Sequence, residues 1–470
     1  MFFVLIISGL WVGSCCSNTC ELLYKGPQKP TSKPTVLDKA HARRLADNDH
    51  RLFVGAAQVD ITTELARTKG IYLGGFYSGR RNKGVRSPVF AHCMYLDTGD
   101  NFVVFEEIDT IGIEHPDIMD AKAIMTSKYA DHIIINAAHD HVGPDTIGYW
   151  GPSMGIVPVC SGRVESYMNK MKHLMAKCVE QAVKNARPAR LRFGTAQAAK
   201  DLSRNLHYAI IDQKDNTVNV MQALDLNGKS IGAMVNYGNH AEAMWNDTKL
   251  GADWPGVMCD SLKDLGVVVF VQGAVGGLVT VDPGRKLCGK RSLDDVFRDD
   301  MPTSKRVALR NKVGHGVAKA VRQALAKADP AVGPDGLSLK IASRTFNIRN
   351  DNWVFAYMAK RGIIKRPVDR SGDNSFITDM ILVTLFQNKK AIAQFVSIPG
   401  EPAPTVFKDL KSMMQGKWRF LIGLGEDEIG YIVRKSDWNQ PYYKYERSMS
   451  PGIETAPLIK SELKALENKK

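Results

Sequence analysis

The sequence predicts an α/β protein in which layered mixed β-sheets are flanked by helices. Short apolar runs of strand length recur along the chain, and several are apolar at nearly every position, as in strands buried on both faces. Longer segments between them carry apolar residues at spacings of three and four, which is typical of amphipathic helices. Buried strands interspersed with such helices are the pattern of a layered α/β fold.

Each element can be located in the sequence. The predicted strands are "FVVFEEID" (102–109), "HIIINAA" (132–138), "IGAMVNYGN" (231–239), "VVVFVQGAV" (267–275), "AIAQFVSI" (391–398) and "FLIGLG" (420–425). The predicted helices are "RVESYMNKMKHLMAKCVEQAVKNA" (163–186), "NKVGHGVAKAVRQALAKA" (311–328) and a short terminal helix in "APLIKSELKALENKK" (456–470). Because no internal repeat or second linker interrupts the pattern, residues 51–470 are predicted to form one domain.

The first 50 residues differ from the rest of the chain. Residues 1–20 contain an apolar run of about eleven residues, too short to span a bilayer, and they predict a signal peptide or a lipoprotein leader. In the second case Cys15 of "VGSC" is lipidated; in the first the protein is cleaved nearby and released. Residues 21–50 are rich in Lys, Pro, Ser and Asp and predict a flexible tether that ends in a short helix. We therefore expect a secreted or membrane-anchored protein on the non-cytoplasmic side.

Composition narrows the function classes. The chain of 470 residues is 44% hydrophobic and 24% charged, which is ordinary for a globular protein, and its net charge is +14. Because Lys and Arg are spread along the chain and form no basic helix, we predict a solvated basic surface and no nucleic-acid partner. The eight cysteines include no CxxC pair, so neither a zinc ribbon nor a dense disulfide scaffold is indicated. One or two disulfides remain compatible with export.

Polar residues cluster where the predicted strands end. His139 and His141 follow the second predicted strand, and His240 follows the third. In an extended H-x-H both imidazoles lie on the same side of the backbone, so both can reach one cation, and neutral imidazole is a good ligand of Zn²⁺. The pair taken alone is equally the pattern of a hydrogen-bonded loop. Glu401 and Tyr431, after two further strands, are the other candidates for a site built on strand ends.

A set of segments, in the same order along the chain, resembles the catalytic domain of the neutral ceramidase family. Members of that family are zinc-dependent amidases that hydrolyse the N-acyl bond of ceramide. The similar segments are "VGAAQVDIT", "LGGFYSGRRNKGVRSPVFAHCMYLD", "HDHVGPD", "NYGNHAEAM", "GADWPG", "SIPGEPAPT" and "GLGEDEIGYIV". The resemblance implies a neutral-ceramidase-like fold and a Zn²⁺ cofactor. It also implies that the metal ligands are His139, His141, His240, Glu401 and, as a ligand or near-ligand, Tyr431.

The same resemblance suggests catalytic roles. Zinc would polarise an amide carbonyl and activate water, and the Tyr431 hydroxyl would steady the developing oxyanion. Tyr445, in "YKYE", corresponds to a family tyrosine that contacts substrate. Asp109, which ends "FEEID", and Asp253, in "GADWPG", are candidates for acid–base work, with a structural turn or cap as the alternative for each.

The sequence departs from the family pattern in "QGAVGGLVTVDP" (272–283). Gly277 and Val279 stand where the family has an acidic residue and a serine that has been considered a nucleophile, and Thr280 is the only nearby hydroxyl. A serine nucleophile therefore finds no support. The glycine-rich "GAVGG" lets backbone approach a ligand closely or forms a tight strand–loop junction, but it lacks the ending of a P-loop. No segment resembles the family's C-terminal immunoglobulin-like domain, so we expect a shorter, ceramidase-like protein.

Three functions are compatible with these residues. The first is an exported zinc amidohydrolase acting on a lipid or smaller N-acyl amide. The second is a zinc enzyme of the same fold that uses Lewis-acid chemistry on another small metabolite, by ester or lactone hydrolysis, cyclisation or elimination. The third is a non-catalytic, tethered binding protein, against which the complete set of metal-type residues argues. The sequence predicts no oligomeric state.

Overall fold

The computed structural model describes residues 28–154, 157–210, 212–280, 301–367 and 375–469. The predicted leader with Cys15, and the first part of the predicted tether, lie outside these residues. The later part of that tether contains the predicted helix, Val36–Asp47, which begins at a capping box between Thr35 and Asp38. Leu37 of this helix is buried in a hydrophobic core, so the helix packs on the rest of the protein. The division into leader, tether and one domain stays a prediction.

The α-helices of the described residues contain the three predicted ones. In chain order they are α1 Val36–Asp47, α2 Glu64–Thr68, α3 His115–Met125, α4 Glu165–Lys184, α5 Trp254–Ser261, α6 Thr303–Ala326, α7 Trp353–Lys360, α8 Pro404–Met413, α9 Lys444–Ser448 and α10 Thr455–Glu467. None of them is both long enough and apolar enough to cross a membrane. The three- and four-residue spacing predicted α4, α6 and α10 because it places their apolar side chains on one buried face.

The strands form two main sheets and three short pairings. In chain order the strands are β1 Phe53–Asp60, β2 Phe90–Asp97, β3 Phe102–Ile108, β4 Ile133–Ala137, β5 Ser153–Met154, β6 Val157–Pro158, β7 Arg187–Gln197, β8 Arg204–Asn205, β9 Thr217–Asp225, β10 Ser230–Tyr237, β11 Val267–Gln272, β12 Leu278–Val279, β13 Leu337–Ile348, β14 Phe376–Gln387, β15 Lys390–Ile398, β16 Glu401–Pro402, β17 Trp418–Gly423 and β18 Tyr431–Ile432. All six predicted strands are present.

Both main sheets mix parallel and antiparallel pairs. The eight-stranded sheet has the order β11-β10-β9-β7-β1-β2-β3-β4, with β10/β11 and β3/β4 parallel and the other pairs antiparallel. The four-stranded sheet has the order β13-β14-β15-β17, with β15/β17 parallel. The parallel pairs place the ends of β4, β10 and β15, where the candidate residues follow, beside the ends of neighbouring strands.

The two sheets pack face to face and are covered by helices on their outer faces. Alternate side chains of the two sheets, such as Phe105 and Phe395 with ring centroids 5.0 Å apart, form the central core. Helices α1, α3 and α4 cover one part of the larger sheet, and α5 and α6 cover another. Helices α7, α8 and α10 cover the smaller sheet. The predicted fold class, layered mixed sheets flanked by helices, is therefore confirmed.

The ends of β4, β10 and β17 meet at one place because the large sheet curls and the small sheet packs into it. The Gln272 side chain, at the end of β11, donates to the carbonyls of Ala138 and Asn239, each at 2.8 Å. Asn236 of β10 donates through its side chain to Leu421 O of β17 at 2.9 Å. The bond from Gln272 to Ala138 joins opposite edges of the larger sheet, and the bond from Asn236 to Leu421 joins that sheet to the smaller one.

Candidate metal centre and active site

Three histidine side chains converge where these strands end. The ring centroids of His139 and His240 are 4.6 Å apart, those of His139 and His141 are 4.8 Å apart, and those of His141 and His240 are 5.3 Å apart. One ring nitrogen from each lies within 4.8 Å of the others. The three imidazoles that the sequence singled out therefore face a common point.

The backbone of the H-x-H segment differs from the prediction. His139 has φ 62, in the left-handed region, so the segment is a turn and the expectation of an extended H-x-H is wrong. Asp140 forms a bridge to Ala241, and His141 N donates to Ala241 O at 2.9 Å. This bridge ties the segment to the residue after His240. The rings face one point because of this tertiary contact and not because of strand alternation.

Glu401 and Tyr431 complete the cluster from the opposite side. They are paired residues of the short parallel ladder between β16 and β18. Glu401 Oε2 lies 3.4 Å from His139 Nε2 and 3.3 Å from His240 Nε2, and the Tyr431 hydroxyl lies 3.4 Å from His240 Nε2. Burial works to raise the pKa of Glu401, but the positive charge of protonated His139 outweighs it and lowers that pKa to about 2, and a cation bound among the histidines would act in the same direction. The carboxylate is therefore held in its charged form.

Hydrogen bonds set the tautomers of two histidines. His139 Nδ1 lies 2.7 Å from Ile111 O, and His240 Nδ1 lies 2.6 Å from Leu278 O. A carbonyl oxygen can only accept, so Nδ1 carries the proton in each ring and Nε2 is left to face the cluster. This is the arrangement by which proteins orient histidine ligands toward a metal.

The donor set fits a zinc ion. Both ring nitrogens of His141 and Oε2 of Glu401 are buried without a hydrogen-bond partner among the described residues, which is costly unless a ligand satisfies them. Burial lowers the pKa of His141 well below its usual value, and the adjacent His139 adds to the effect, so this ring is neutral. Neutral imidazoles and one carboxylate are ligands that Zn²⁺ prefers. The assignment of metal ligands remains a prediction; the set is His139, His141, His240, Glu401 and Tyr431.

A predominantly apolar cavity of about 80 Å³ opens beside the cluster. Its apolar walls come from α7, from the start of β14 and from nearby loops, and its lining also includes His139 and His141. The lining residues include Ile147, Tyr149, Trp150, Phe355, Met358, Ile364, Phe376, Ile429 and Met449, with Glu114, Arg366 and Glu428 as charged members. Tyr445 of α9, which is 43% exposed, also lines the cavity, with its ring 5.8 Å from that of Tyr431. The site thus joins a polar cluster to an apolar wall.

The other predicted catalytic residues lie elsewhere. Asp253 is the N-cap of α5 and accepts from Trp254 N at 2.6 Å and Met244 N at 2.7 Å, which is the structural alternative named for it. Asp109 does not line the cavity beside the histidines; it lines a separate one. The Thr280 hydroxyl is buried and donates to His240 O at 2.7 Å. This hydrogen bond supports the backbone of the third histidine and gives no indication that Thr280 is a nucleophile.

The glycine-rich segment is a tight junction. A Cβ on Gly276 would lie 2.7 Å from Glu401 O and 2.8 Å from Ala403 N. Gly276 N donates to Pro402 O at 3.0 Å. The absence of a side chain therefore lets the loop after β11 pack directly on the backbone that carries Glu401. Of the two alternatives that the sequence left open, the structure has the junction.

Several residues that line the cavity or support the candidate ligands were not predicted from the sequence. Glu428 lies in the cavity with Oε2 buried and unpartnered in the described chain, and burial followed by the Glu401 charge raises its pKa to about 8. Trp254 Nε1 donates to His240 O at 2.8 Å, and Arg366 pairs with Glu114 at 2.9 Å. Glu428, in "GEDEIGY", and Trp254, in "GADWPG", lie in segments that the motifs had marked. The others become neighbours of the site through folding alone.

Comparisons with known proteins agree with this arrangement at the level of the fold. No model of a known protein family matches the sequence, and no curated protein matches it. Among solved structures, the neutral ceramidase from Pseudomonas aeruginosa superposes with a TM-score of 0.68 at 15% identity, covering 89% of this chain and 74% of that one. A ceramidase complexed with C2 superposes with a TM-score of 0.67 at 15% identity, covering 89% and 75%. The chain therefore has the fold of the neutral ceramidases, as the ordered motifs predicted.

Proposed function

We propose that the protein is a zinc-dependent amidohydrolase that cleaves an N-acyl amide bond. The observation that carries this proposal is the convergence of His139, His141, His240 and Glu401 beside an apolar cavity. A polar cluster whose buried ligand atoms lack partners, next to an apolar wall, suits a substrate that has one polar, reactive bond and one apolar chain. The fold shared with neutral ceramidases supports the same reaction class.

The cluster residues would hold the metal, and the rest of the chain would orient the substrate. A zinc ion bound by the three imidazoles and Glu401 would polarise the amide carbonyl and lower the pKa of water to about 7. The proposal assigns to the Tyr431 hydroxyl, 3.4 Å from His240 Nε2, the donation of a hydrogen bond to the oxyanion that would develop on the carbonyl. Glu428 Oε2, which no described residue satisfies, can form a hydrogen bond with the substrate, and the raised pKa of this carboxyl makes it a donor at neutral pH.

The apolar wall would bind the acyl group. Phe355 and Met358 of α7, together with Phe376, face the cavity and are nearly fully buried. Their burial excludes water from one side of the site, which strengthens the electrostatic interactions of Tyr431 with the reacting group. Tyr445, half exposed at the same cavity, would contact the part of the substrate that remains outside.

The chain's own residues argue for direct attack by water. Val279 is buried and apolar at the family's serine position, and the Thr280 hydroxyl is engaged with the His240 carbonyl. Val279 has no nucleophilic group, and Thr280 could attack only by giving up its bond to the His240 carbonyl. A covalent acyl-enzyme is therefore not part of the proposal.

The protein is proposed to act after export, with no nucleic-acid partner. The apolar N-terminal segment supports a leader, and the disulfide-bonded state of Cys160 supports an oxidising compartment. Lipidation of Cys15 would hold the enzyme at a membrane surface, where an N-acyl lipid is accessible. Mass spectrometry of the mature N-terminus distinguishes lipidation at Cys15 from plain cleavage.

The test is metal content together with hydrolysis. We expect one zinc per chain at this centre, and His139→Ala and His141→Ala should lose both that zinc and amide hydrolysis. His173→Ala is the matched control, because His173 is exposed on α4 and bonds only its own helix at Asn169 O. Wild-type protein that binds no zinc at the histidine centre, or His141→Ala protein that hydrolyses amides normally, would contradict the proposal.

One observation favours a second candidate, the same metal centre acting on a compact metabolite. The cavity of about 80 Å³ is well below the roughly 300–1,000 Å³ of usual small-molecule pockets. Together with Val279 at the family's serine position, this size supports a short acyl group, or an ester, lactone, cyclisation or elimination substrate. A panel of ceramide, short N-acyl amides, esters and lactones distinguishes the candidates. Turnover of ceramide as fast as that of short amides would exclude this alternative.

A further inference from the structure

A second cluster of ligand-type side chains lies away from the histidine centre. His92 of β2 and Glu107 of β3 are cross-strand partners, and Asp109 follows β3 directly. His92 and Asp109 line a cavity of about 260 Å³, which shares no lining residue with the cavity beside the histidine centre. The remaining wall of this second cavity includes four residues of α5 and single residues of β1, β11 and α6, together with the segment that leads into β2.

The ligand atoms of this cluster are close together and only partly satisfied. One ring nitrogen of His92 and one oxygen each of Glu107 and Asp109 lie within 4.8 Å of one another. His92 Nδ1 lies 2.7 Å from Glu107 Oε2, while Glu107 Oε1 is buried with no hydrogen-bond partner in the described chain. Glu107 is 1% exposed, so water outside the protein does not satisfy this oxygen.

The charge of the cluster is also unbalanced, in contrast to other buried carboxylates of the protein. Asp117 lies 2.5 Å from Arg163 and Glu114 lies 2.9 Å from Arg366, so each has a cationic partner. Within the described residues no Lys or Arg forms an ion pair with Glu107 or Asp109. Buried carboxylates require a cation, a metal ion or a proton. A divalent cation would balance two carboxylates beside a neutral imidazole.

The cavity gives a cation access and room for water. Its mouth includes Asp260 and Lys263, which are exposed, and its wall includes the half-buried Cys259. Three protein ligands leave coordination positions for water, which the cavity volume accommodates. Imidazole and carboxylate together suit divalent transition metals such as zinc or manganese, whereas calcium prefers oxygen ligands alone.

We propose that His92, Glu107 and Asp109 form a second binding site for a divalent transition-metal ion, separate from the histidine centre. The site does not depend on the proposed hydrolase function. The ion joins β2 to the end of β3, and it compensates the two buried carboxylates. Binding of the ion therefore stabilises the folded chain.

The experiment counts zinc. Wild-type protein, freed of metal and dialysed against a zinc buffer, is expected to hold two ions per chain, and His92→Gln protein is expected to hold one. His132→Gln is the matched control, because His132 is a half-buried histidine that bonds Phe102 O at 3.0 Å and belongs to neither cluster. It should hold two ions.

A background that lacks the histidine centre separates the two proposals. His139→Ala/His240→Ala protein is expected to keep one ion, to unfold at higher temperature when zinc is added, and to lose both properties when His92→Gln is introduced. Asp109→Asn provides a second test if His92→Gln does not fold, since Asn can still accept from Phe90 N, now bonded at 2.8 Å. Unchanged zinc content and zinc-induced stabilisation in folded His92→Gln or Asp109→Asn protein would overturn the proposal.

Discussion

Gly75 offers a sharp test of how closely the chain packs around His141. Its φ is +75, and a Cβ built on it would lie 2.3 Å from His141 Nδ1 and 2.7 Å from His141 Cγ. Gly79 has nearly the same backbone conformation, φ +74, but a Cβ there meets nothing within 4 Å. The substitutions Gly75→Ala and Gly79→Ala therefore share the backbone strain and differ in the contact with His141.

The expected magnitudes follow from these distances. A left-handed conformation costs a non-glycine residue about 1–2 kcal/mol, so both variants should lose a similar free energy of unfolding from strain. Carbon atoms in contact lie about 3.5–4.0 Å apart, so the His141 ring must move by about 1 Å in Gly75→Ala protein. Metal–ligand distances tolerate only about 0.2 Å. We expect zinc affinity at the histidine centre to fall about 100-fold, equivalent to about 2.8 kcal/mol.

The assay is a zinc titration against a chelator of known affinity, followed by amide hydrolysis at saturating zinc. His92→Gln should be present in all chains so that only the histidine centre is titrated. Gly75→Ala should show weaker zinc binding and roughly 100-fold slower hydrolysis than Gly79→Ala. If the two variants fold equally well and bind zinc with the same affinity, the assignment of His141 as a ligand is refuted.

Three further predictions concern other parts of the structure. Tyr431→Phe should keep stoichiometric zinc while kcat falls about 100-fold, because one oxyanion donor is lost; unchanged kcat in steady-state kinetics would exclude this role. Burial raises the pKa of Glu106 from 4.5 to about 8, so the folded state retains a proton that the unfolded state releases. The free energy of unfolding should accordingly fall as the pH rises from about 4.5 to about 8, and urea unfolding of Glu106→Gln should lack this component. Lys122 and Glu426 form a buried ion pair, so Lys122→Met should lower the free energy of unfolding by about 3–5 kcal/mol in urea unfolding, and adding Glu426→Gln should restore part of it.

The predicted strands could be recognised in the sequence from the local pattern of apolar residues. The six predicted strands are continuous apolar runs because both of their faces are buried. One face packs between the two sheets and the other packs beneath helices. Strands such as β7 and β13 were not predicted, because polar and apolar residues are mixed along them and several positions are exposed. Their place in the sheets depends on pairing with distant strands, which periodicity does not reveal.

The candidate ligands were visible in the sequence for a related reason. Residues after a strand end are held rigidly by the sheet, so histidines there stand out against their apolar surroundings. The sequence could not show that His139 adopts a left-handed turn, since its conformation depends on the bridge between Asp140 and Ala241. It also could not decide that Asp253 caps α5 or that Thr280 bonds the His240 carbonyl.

The sequence by itself determined the α/β class, the positions of the main buried strands and the chemical types gathered at their ends, because these depend on residues near each other in the chain. Only the tertiary structure decided which of those residues meet. The bond from Gln272 to the Ala138 carbonyl joins β11 to the end of β4, and the pairing of β2 with β3 gathers His92, Glu107 and Asp109 beside a different cavity. The contact between Gln272 and Ala138 joins residues 134 positions apart, and the energies of such contacts depend on burial and geometry that no local pattern contains.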